Sequence, residues 1–227
     1  MPRRNRVDPW GDLHAVPERG MFTGNRGCVV DDSGEVVRHH RGRLWITCVT
    51  EYKDWRFPLA RPGRWTPLFF LDDAVALSAG HRPCGLCRPN AYLIYRDAVS
   101  QAAGSRRPLT AQELNHRLSA ERLTPGRGLD RAADRILWTA ELDHLPAGTV
   151  IVDEERRPHL LLDDRLLAFT FAGWANPQPR PHAGVARVLT PPTSVAALSH
   201  GFMPVLHPSA RAGVEPGVLG DGTMVCP

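Results

Sequence analysis

Leu77–Pro89, LSAGHRPCGLCRP, sets Cys84 and Cys87 two residues apart on a turn bracketed by Pro83 and Pro89. Two thiols on such a turn make half of a tetrahedral metal site. Cys28 and Cys48 lie upstream, in the spacing C-x19-C-x35-C-x2-C. That is not a short finger spacing, so the second half of a site has to be delivered by the fold rather than by a local loop. Zn²⁺ held by Cys28, Cys48, Cys84 and Cys87 is the first expectation. The alternatives are a redox pair or two unrelated thiols. A redox C-x-x-C opens a helix directly after a strand, whereas this pair follows a helix expected over Asp72–Ala79.

The chain has 227 residues and 42% hydrophobic content, ordinary for a globular protein able to bury one large core or two modest ones. The start, MPRRNRVDPWGDLHAV, is basic without an apolar region, and no window approaches eighteen apolar residues. No membrane span is expected, and the chain reads as cytoplasmic. Five cysteines, an odd number, argue for reduced thiols or metal ligation over a disulfide framework. Cys226 is the expected spare. The net charge of +4 conceals an asymmetry: residues 1–140 carry 22 Lys+Arg against 15 Asp+Glu, and residues 141–227 carry 6 against 9. A basic block beside a mildly acidic one suits a nucleic-acid-contacting part joined to a non-contacting one. Of the basic residues all but Lys53 are arginine. Guanidinium favours bidentate phosphate and guanine contacts, although a compositional bias toward arginine gives the same count.

Hydrophobic patterning predicts an α+β chain in three parts. Residues 1–104 form a zinc-stabilised unit with an N-terminal arm: a hairpin over Val29–Val37, strands over Leu44–Val49 and Trp65–Leu71, and a helix capped by Asp72 or Asp73 and closed by Gly80. A second helix, Ala91–Ala103, is expected to start at Asn90 and to turn Leu93, Ile94, Tyr95 and Ala98 inward. Residues 105–144 read as a helical connector, opened by the capping box of Thr110 and Glu113 and helical again over Asp130–Leu142. Residues 145–227 read as β-rich, a small barrel or sandwich, with a short helix over Thr193–Leu198 capped by Thr193.

Phe69–Pro89, FFLDDAVALSAGHRPCGLCRP, resembles the second half of the Ada-type zinc domain: a strand, an acidic-capped helix, then Gly80, Arg82, Pro83, Cys84, Cys87 and Pro89 in the family's order. The resemblance covers about residues 44–100. It implies a zinc–thiolate site, contact with DNA, and repair of methylphosphotriesters with one upstream cysteine as methyl acceptor. Only Cys48 stands near the place of the family's two upstream cysteines; its neighbour's position reads Glu51–Tyr52. The fourth ligand then comes most simply from Cys28, with His39 or His40 as the fallback.

Arg41, Arg43, Arg56, Arg61, Arg64, Arg82 and Arg88 accompany Trp55 around the metal unit, and arginines interleaved with aromatics can hold phosphates and stack on bases. These eight are the candidate nucleic-acid contacts, with Tyr52–Arg64 as the preferred surface. Asp8, Asp12, His14 and Glu18 are a candidate acid–base or metal cluster in the N-terminal arm. There is no phosphate-binding glycine loop, no H-E-x-x-H and no G-x-S-x-G, which argues against NTP-driven, zincin and serine-hydrolase chemistry. The leading expectation is a zinc-stabilised, DNA-associated protein. The others are a sacrificial alkyl acceptor using Cys48, a hydrolase using the N-terminal cluster, and a zinc-dependent protein-interaction module.

Overall fold

A computed structural model describes residues 2–54 and 63–211. Trp55, Arg56 and Arg61 of the expected contact loop, and Cys226, lie outside the described residues. The fold is mixed α+β, with two six-stranded sheets and four α-helices among the described residues.

The first sheet is built from short strands: β1 (Arg6–Val7), β2 (Leu13–His14), β3 (Phe22–Asn25), β4 (Ile46–Val49), β5 (Leu68–Phe70) and β6 (Arg82–Pro83). Their spatial order is β2-β1-β5-β3-β4-β6. β3 and β4 pair antiparallel with Thr23 opposite Cys48, and β4 pairs parallel with β6, Ile46 opposite Arg82. That parallel pairing brings the strand carrying Cys48 beside the residues that lead into Cys84. Gly24 allows the approach of β3 to β4, since a Cβ there would overlap the Ile46 carbonyl oxygen.

Helix α1 (Asp73–Ser78) follows β5, and the Asp72 side chain accepts from the Val75 amide as its N-cap. Gly80, at φ +85°, ends it in the left-handed region. Helix α2 (Pro89–Ala102) starts on Pro89 with no side-chain cap, so Asn90 does not cap it. The fixed φ of a proline in the first turn suffices for the start. Its inward face is Tyr95, Ala98 and Val99; Leu93 and Ile94 face solvent. Helix α3 (Ala111–Arg122) has the expected reciprocal capping box between Thr110 and Glu113. Helix α4 (Pro192–Ser199) begins one residue earlier than expected, because the hydroxyl and amide of Thr193 go to the Glu121 carboxylate on α3.

The second sheet comprises β7 (Trp138–Glu141), β8 (Val150–Val152), β9 (Pro158–Leu161), β10 (Arg165–Thr170), β11 (Gly173–Pro179) and β12 (Val185–Val188). It is antiparallel throughout in the order β11-β10-β9-β8-β12-β7. No closed barrel forms among the described residues, because β11 and β7 remain as its two edges. The helix expected over Asp130–Leu142 is replaced by a 3₁₀ turn at Ala132–Asp134 and by β7. Tertiary bonds override the helical pattern there: Arg131 donates to the Gly126 and Thr124 carbonyls, and β7 pairs with β12.

One apolar cluster takes Leu68, Phe70, Val75 and Ala79 from before residue 145 and Val150, Leu160, Leu167 and Trp174 from after it. A second joins Leu77, Tyr95, Val99 and Leu114 to Leu198 and Phe202. At about 1.5–3 kcal/mol for each fully buried large side chain, this packing fixes α1 against both sheets. Asp72 adds a polar tie, accepting from Trp174 Nε1 at 2.6 Å and from the His207 amide at 3.0 Å.

Candidate metal centre

Cys48 sits in β4, and Cys84 and Cys87 on the turn between β6 and α2. Their three sulfur atoms lie within 4.8 Å of one another. Four sulfurs at a Zn–S distance of about 2.3 Å stand roughly 3.8 Å apart in a tetrahedron, so a contraction of about 1 Å at most would seat an ion. The backbone holds the turn in place: the Cys84 amide donates to the Thr47 carbonyl at 2.8 Å, and the Arg88 amide to the Cys84 carbonyl at 3.1 Å.

The sulfurs are surrounded by donors suited to thiolates. Cys84 accepts a hydrogen bond from the Cys48 thiol and from the amides of Cys87 and Leu86, which together push its pKa down to about 5 against the opposing effect of burial. The Cys48 thiol, which gives that bond, is pushed up, further raised by burial and by the negative charges of its two neighbours. Burial and Cys84 also raise Cys87, although the Val49 amide donates to its sulfur. Three thiolates cannot share so small a volume without a cation, and a soft divalent ion relieves that repulsion. The donor set therefore fits a metal.

Arg88 locks the centre from behind. Its guanidinium forms a buried fork onto Asp73 at 2.6 and 2.7 Å, donates to Thr47 Oγ1 at 3.1 Å, and lies 4.1 Å from the centre of the Phe22 ring. One side chain thus ties the residue after Cys87 to the residue before Cys48 and to the first turn of α1. In front, Cys48, Cys84 and Cys87 line a cavity of about 630 Å³ with Thr23, Asn25, Phe69 and the segment Thr50–Asp54. Thr23, Asn25 and Phe69 escape sequence reasoning; only their register on β3 and β5 beside β4 brings them there.

Cys28 does not belong to this group, which corrects the expected ligand set. Its thiol donates to the Val30 carbonyl, and its side chain packs against the main apolar cluster. His39 and His40 are turned elsewhere as well, against one another and against Trp45. Among the described residues the group is three cysteines.

Arg82 and Arg88 are likewise corrected as nucleic-acid contacts. Both are buried, Arg88 in the fork with Asp73 and Arg82 donating to Asn115 Oδ1 and the Pro83 carbonyl. Arg41, Arg43 and Arg64 are exposed. The N-terminal cluster is brought together only in part. His14 Nε2 lies 2.8 Å from Asp8 Oδ2, and that carboxylate raises the His14 pKa. Asp12 instead caps the segment at residue 131, accepting from the amides of Arg131 and Ala132. Glu18 meets Arg6 through its backbone carbonyl, not its carboxylate.

Comparison with protein-family models, with curated proteins and with solved structures returned no match. The Ada-type likeness stands on the motif residues of Phe69–Pro89 alone. No helix among the described residues is long and apolar enough to cross a membrane.

Proposed function

We propose that this chain is a zinc protein that associates with DNA, with Zn²⁺ held by Cys48, Cys84 and Cys87. The observation that carries the metal is the convergence of those three sulfurs from segments thirty-five residues apart. Soft thiolates at this spacing suit zinc, which prefers tetrahedral sulfur sites. Closed zinc sites are structural and sites with an open position exchange ligands; here the sulfurs face a cavity. The DNA part is supported by the basic balance of residues 1–140 and by the exposed Arg41, Arg43 and Arg64.

The open cavity favours one further reading, that of a sacrificial alkyl acceptor. In it a sulfur of the centre attacks the methyl carbon of a methylphosphotriester. An S–CH₃ bond forms, the CH₃–O bond breaks, and the phosphodiester leaves as an anion. Zinc, when bound, keeps the thiolates deprotonated at neutral pH.

Three measurements test these readings. Elemental analysis of purified protein is expected to give one zinc per chain, and its absence would remove the metal centre. Fluorescence anisotropy with duplex DNA is expected to show affinity falling steeply between about 50 and 200 mM salt, as counterion release requires. No binding at the low-salt end would turn the protein into a zinc-dependent interaction module. Mass spectrometry after incubation with methylphosphotriester DNA tests the acceptor: a gain of one methyl on Cys48, Cys84 or Cys87 supports it, and an unmodified chain refutes it.

A further inference from the structure

Six buried side-chain nitrogens behind α1 have no hydrogen-bond partner: Nε and Nη2 of Arg26, Nδ1 and Nε2 of His81, and Nε and Nη1 of Arg135. Arg26 and His81 are fully buried, and Arg135 is 6% exposed. Each orphaned buried polar group costs about 1–3 kcal/mol, and more when it is charged. Native interiors tolerate few of them; four guanidinium nitrogens and one N–H of a neutral His81 ring are donors left without acceptors.

Two of the cations in this neighbourhood lie over Trp45, and the charge of Arg135 reaches both of them and His81. The Arg26 guanidinium lies 4.9 Å and that of Arg122 3.9 Å from the Trp45 ring, and the His81 ring is 5.0 Å from it. Every bond the three arginines make goes to a neutral group. Arg26 donates to the Gly11 carbonyl at 2.7 Å and stands 3.1 Å from His39 Nε2; Arg122 donates to the carbonyls of Gly80 and Arg43; Arg135 donates to those of Ser78 and Leu189. The Ser78 and Gly80 carbonyls lie at the C-terminal end of α1, where helices leave carbonyls unsatisfied. That accounts for one edge of Arg122 and of Arg135 and leaves the nitrogens named above.

No ion pair within 4 Å among the described residues involves Arg26, Arg122 or Arg135. Asp8 and Asp12 are the carboxylates whose charge reaches Arg26 and Arg135, but their oxygens are committed to His14 and to the amides of Asp12, Arg131 and Ala132. Desolvation, then the positive charge of neighbouring arginines, depresses Arg26 and Arg122 to about 9; desolvation alone depresses Arg135 to about 10, against the opposing charges of Asp8 and Asp12. A guanidinium edge offers parallel N–H donors that match an oxyanion, and a neutral imidazole adds one more. Water would satisfy the donors without answering the charge, whereas an anion in this low-dielectric region does both.

We propose that Arg26, His81 and Arg135 form an internal binding site for a small oxyanion of the phosphate class, with Arg122 adding charge. None of the three lines the cavity in front of the cysteines, and the proposal does not rest on the metal reading. The probe is inorganic phosphate, added to the full zinc-loaded chain and compared with sulfate, acetate and chloride at matched ionic strength. Phosphate is expected to raise the melting temperature saturably and to remain bound at one per chain in equilibrium dialysis, with sulfate acting similarly. His81→Gln and Arg135→Gln are expected to weaken phosphate binding at least tenfold. Should those variants not fold, phosphate titration of the wild type must still shift two buried arginine Nε–H resonances in ¹⁵N spectra. Equal effects of chloride and phosphate, an acetate-only effect, no retained phosphate, or undiminished binding in both variants would each overturn the proposal. Zinc content is measured in the same samples, so a failure here is separable from a failure of the metal centre.

Discussion

The Arg88 guanidinium grips the Asp73 carboxylate through two buried hydrogen bonds of 2.6 and 2.7 Å, and this pair is the joint between the C-x-x-C turn and the rest of the fold. Asp73 also accepts from the Val205 amide, so the same carboxylate reaches the segment after α4. Because Arg88 adjoins Cys87 and also donates to Thr47, which adjoins Cys48, the pair fixes the distance between the two halves of the cysteine group. The arginine was expected on sequence grounds to touch phosphate; burial beside a carboxylate assigns it to positioning instead.

Replacing Arg88 by Met leaves the Asp73 charge buried and unpaired, which costs about 3–5 kcal/mol of stability. Loss of an orienting partner behind metal ligands lowers affinity by roughly 10–100-fold. Arg88→Lys keeps the charge but not the fork and falls between the two. Urea unfolding and competitive zinc titration read both effects, and an unchanged zinc affinity in Arg88→Met would show that the clamp does not position the cysteines.

The three-cysteine group makes a sharp distinction among thiols. Cys48→Ser, Cys84→Ser and Cys87→Ser are each expected to lose stoichiometric zinc and to melt earlier. Cys28→Ser is expected to retain it, since that thiol bonds the Val30 carbonyl. Chelation of the wild type should lower its melting temperature in the same way, because ion binding to the folded state alone is folding free energy. Zinc lost from Cys28→Ser and kept by Cys48→Ser would reverse the ligand assignment.

Local chemistry made much of this legible in the sequence. The Asp72 cap, the left-handed Gly80 and the Thr110–Glu113 box each depend on residues a few positions apart, and each is found as expected; the C-x-x-C forms a turn too, but directly after strand β6 and ahead of α2 rather than after a helix. What failed were questions of tertiary pairing. Cys28 and Cys48 look alike in the sequence, but only the parallel pairing of β4 with β6 carries one of them to the turn. The 130–142 segment has a helical pattern that its buried arginines and its partner strand override. β11, with two prolines and an asparagine at φ +51°, carries no strand signal and forms by pairing with β10 around a register shift. The cluster of Arg26, His81 and Arg135 draws on residues more than a hundred positions apart, beyond the reach of any spacing rule.

Trp174 donates to Asp72 Oδ2 across the boundary between the two sheets, at 2.6 Å and fully within the core. Trp174→Phe keeps most of the ring and removes the donor, leaving a buried carboxylate oxygen short of one partner. The expected cost is about 1–3 kcal/mol. Chemical denaturation should give it as a lower midpoint with an unchanged slope, while zinc content stays at the wild-type value. A variant as stable as the wild type would mean that the His207 amide alone satisfies Asp72 Oδ2.

His39 and His40 set a pH dependence whose direction is fixed by their surroundings. Burial first, then the positive charge of Arg26, lowers His39 from 6.5 to about 2 and His40 from 6.5 to about 4, so both are neutral in the fold at neutral pH. As the pH falls below about 6.5, the ordinary histidine value, the unfolded chain takes up protons that the folded chain refuses. The stability that these two neutral rings confer is therefore complete above that value and declines through pH 6 and 5, by at most about 1.4 kcal/mol per pH unit for each ring, with the buried His81 acting in the same direction and His14, raised by Asp8, in the opposite one. The share of His40 is smaller, because its ring is partly open to water and screened. Glu113 and Asp153, both lowered to about 2, contribute in a separate window that opens only below their ordinary values of 4.5 and 3.8. Denaturant unfolding of the wild type and of His40→Gln between pH 7.5 and 5, with bound zinc followed in parallel, should show a flatter decline in the variant. Curves that remain parallel down to pH 5 would mean that His40 is as free to protonate in the folded protein as in the unfolded chain.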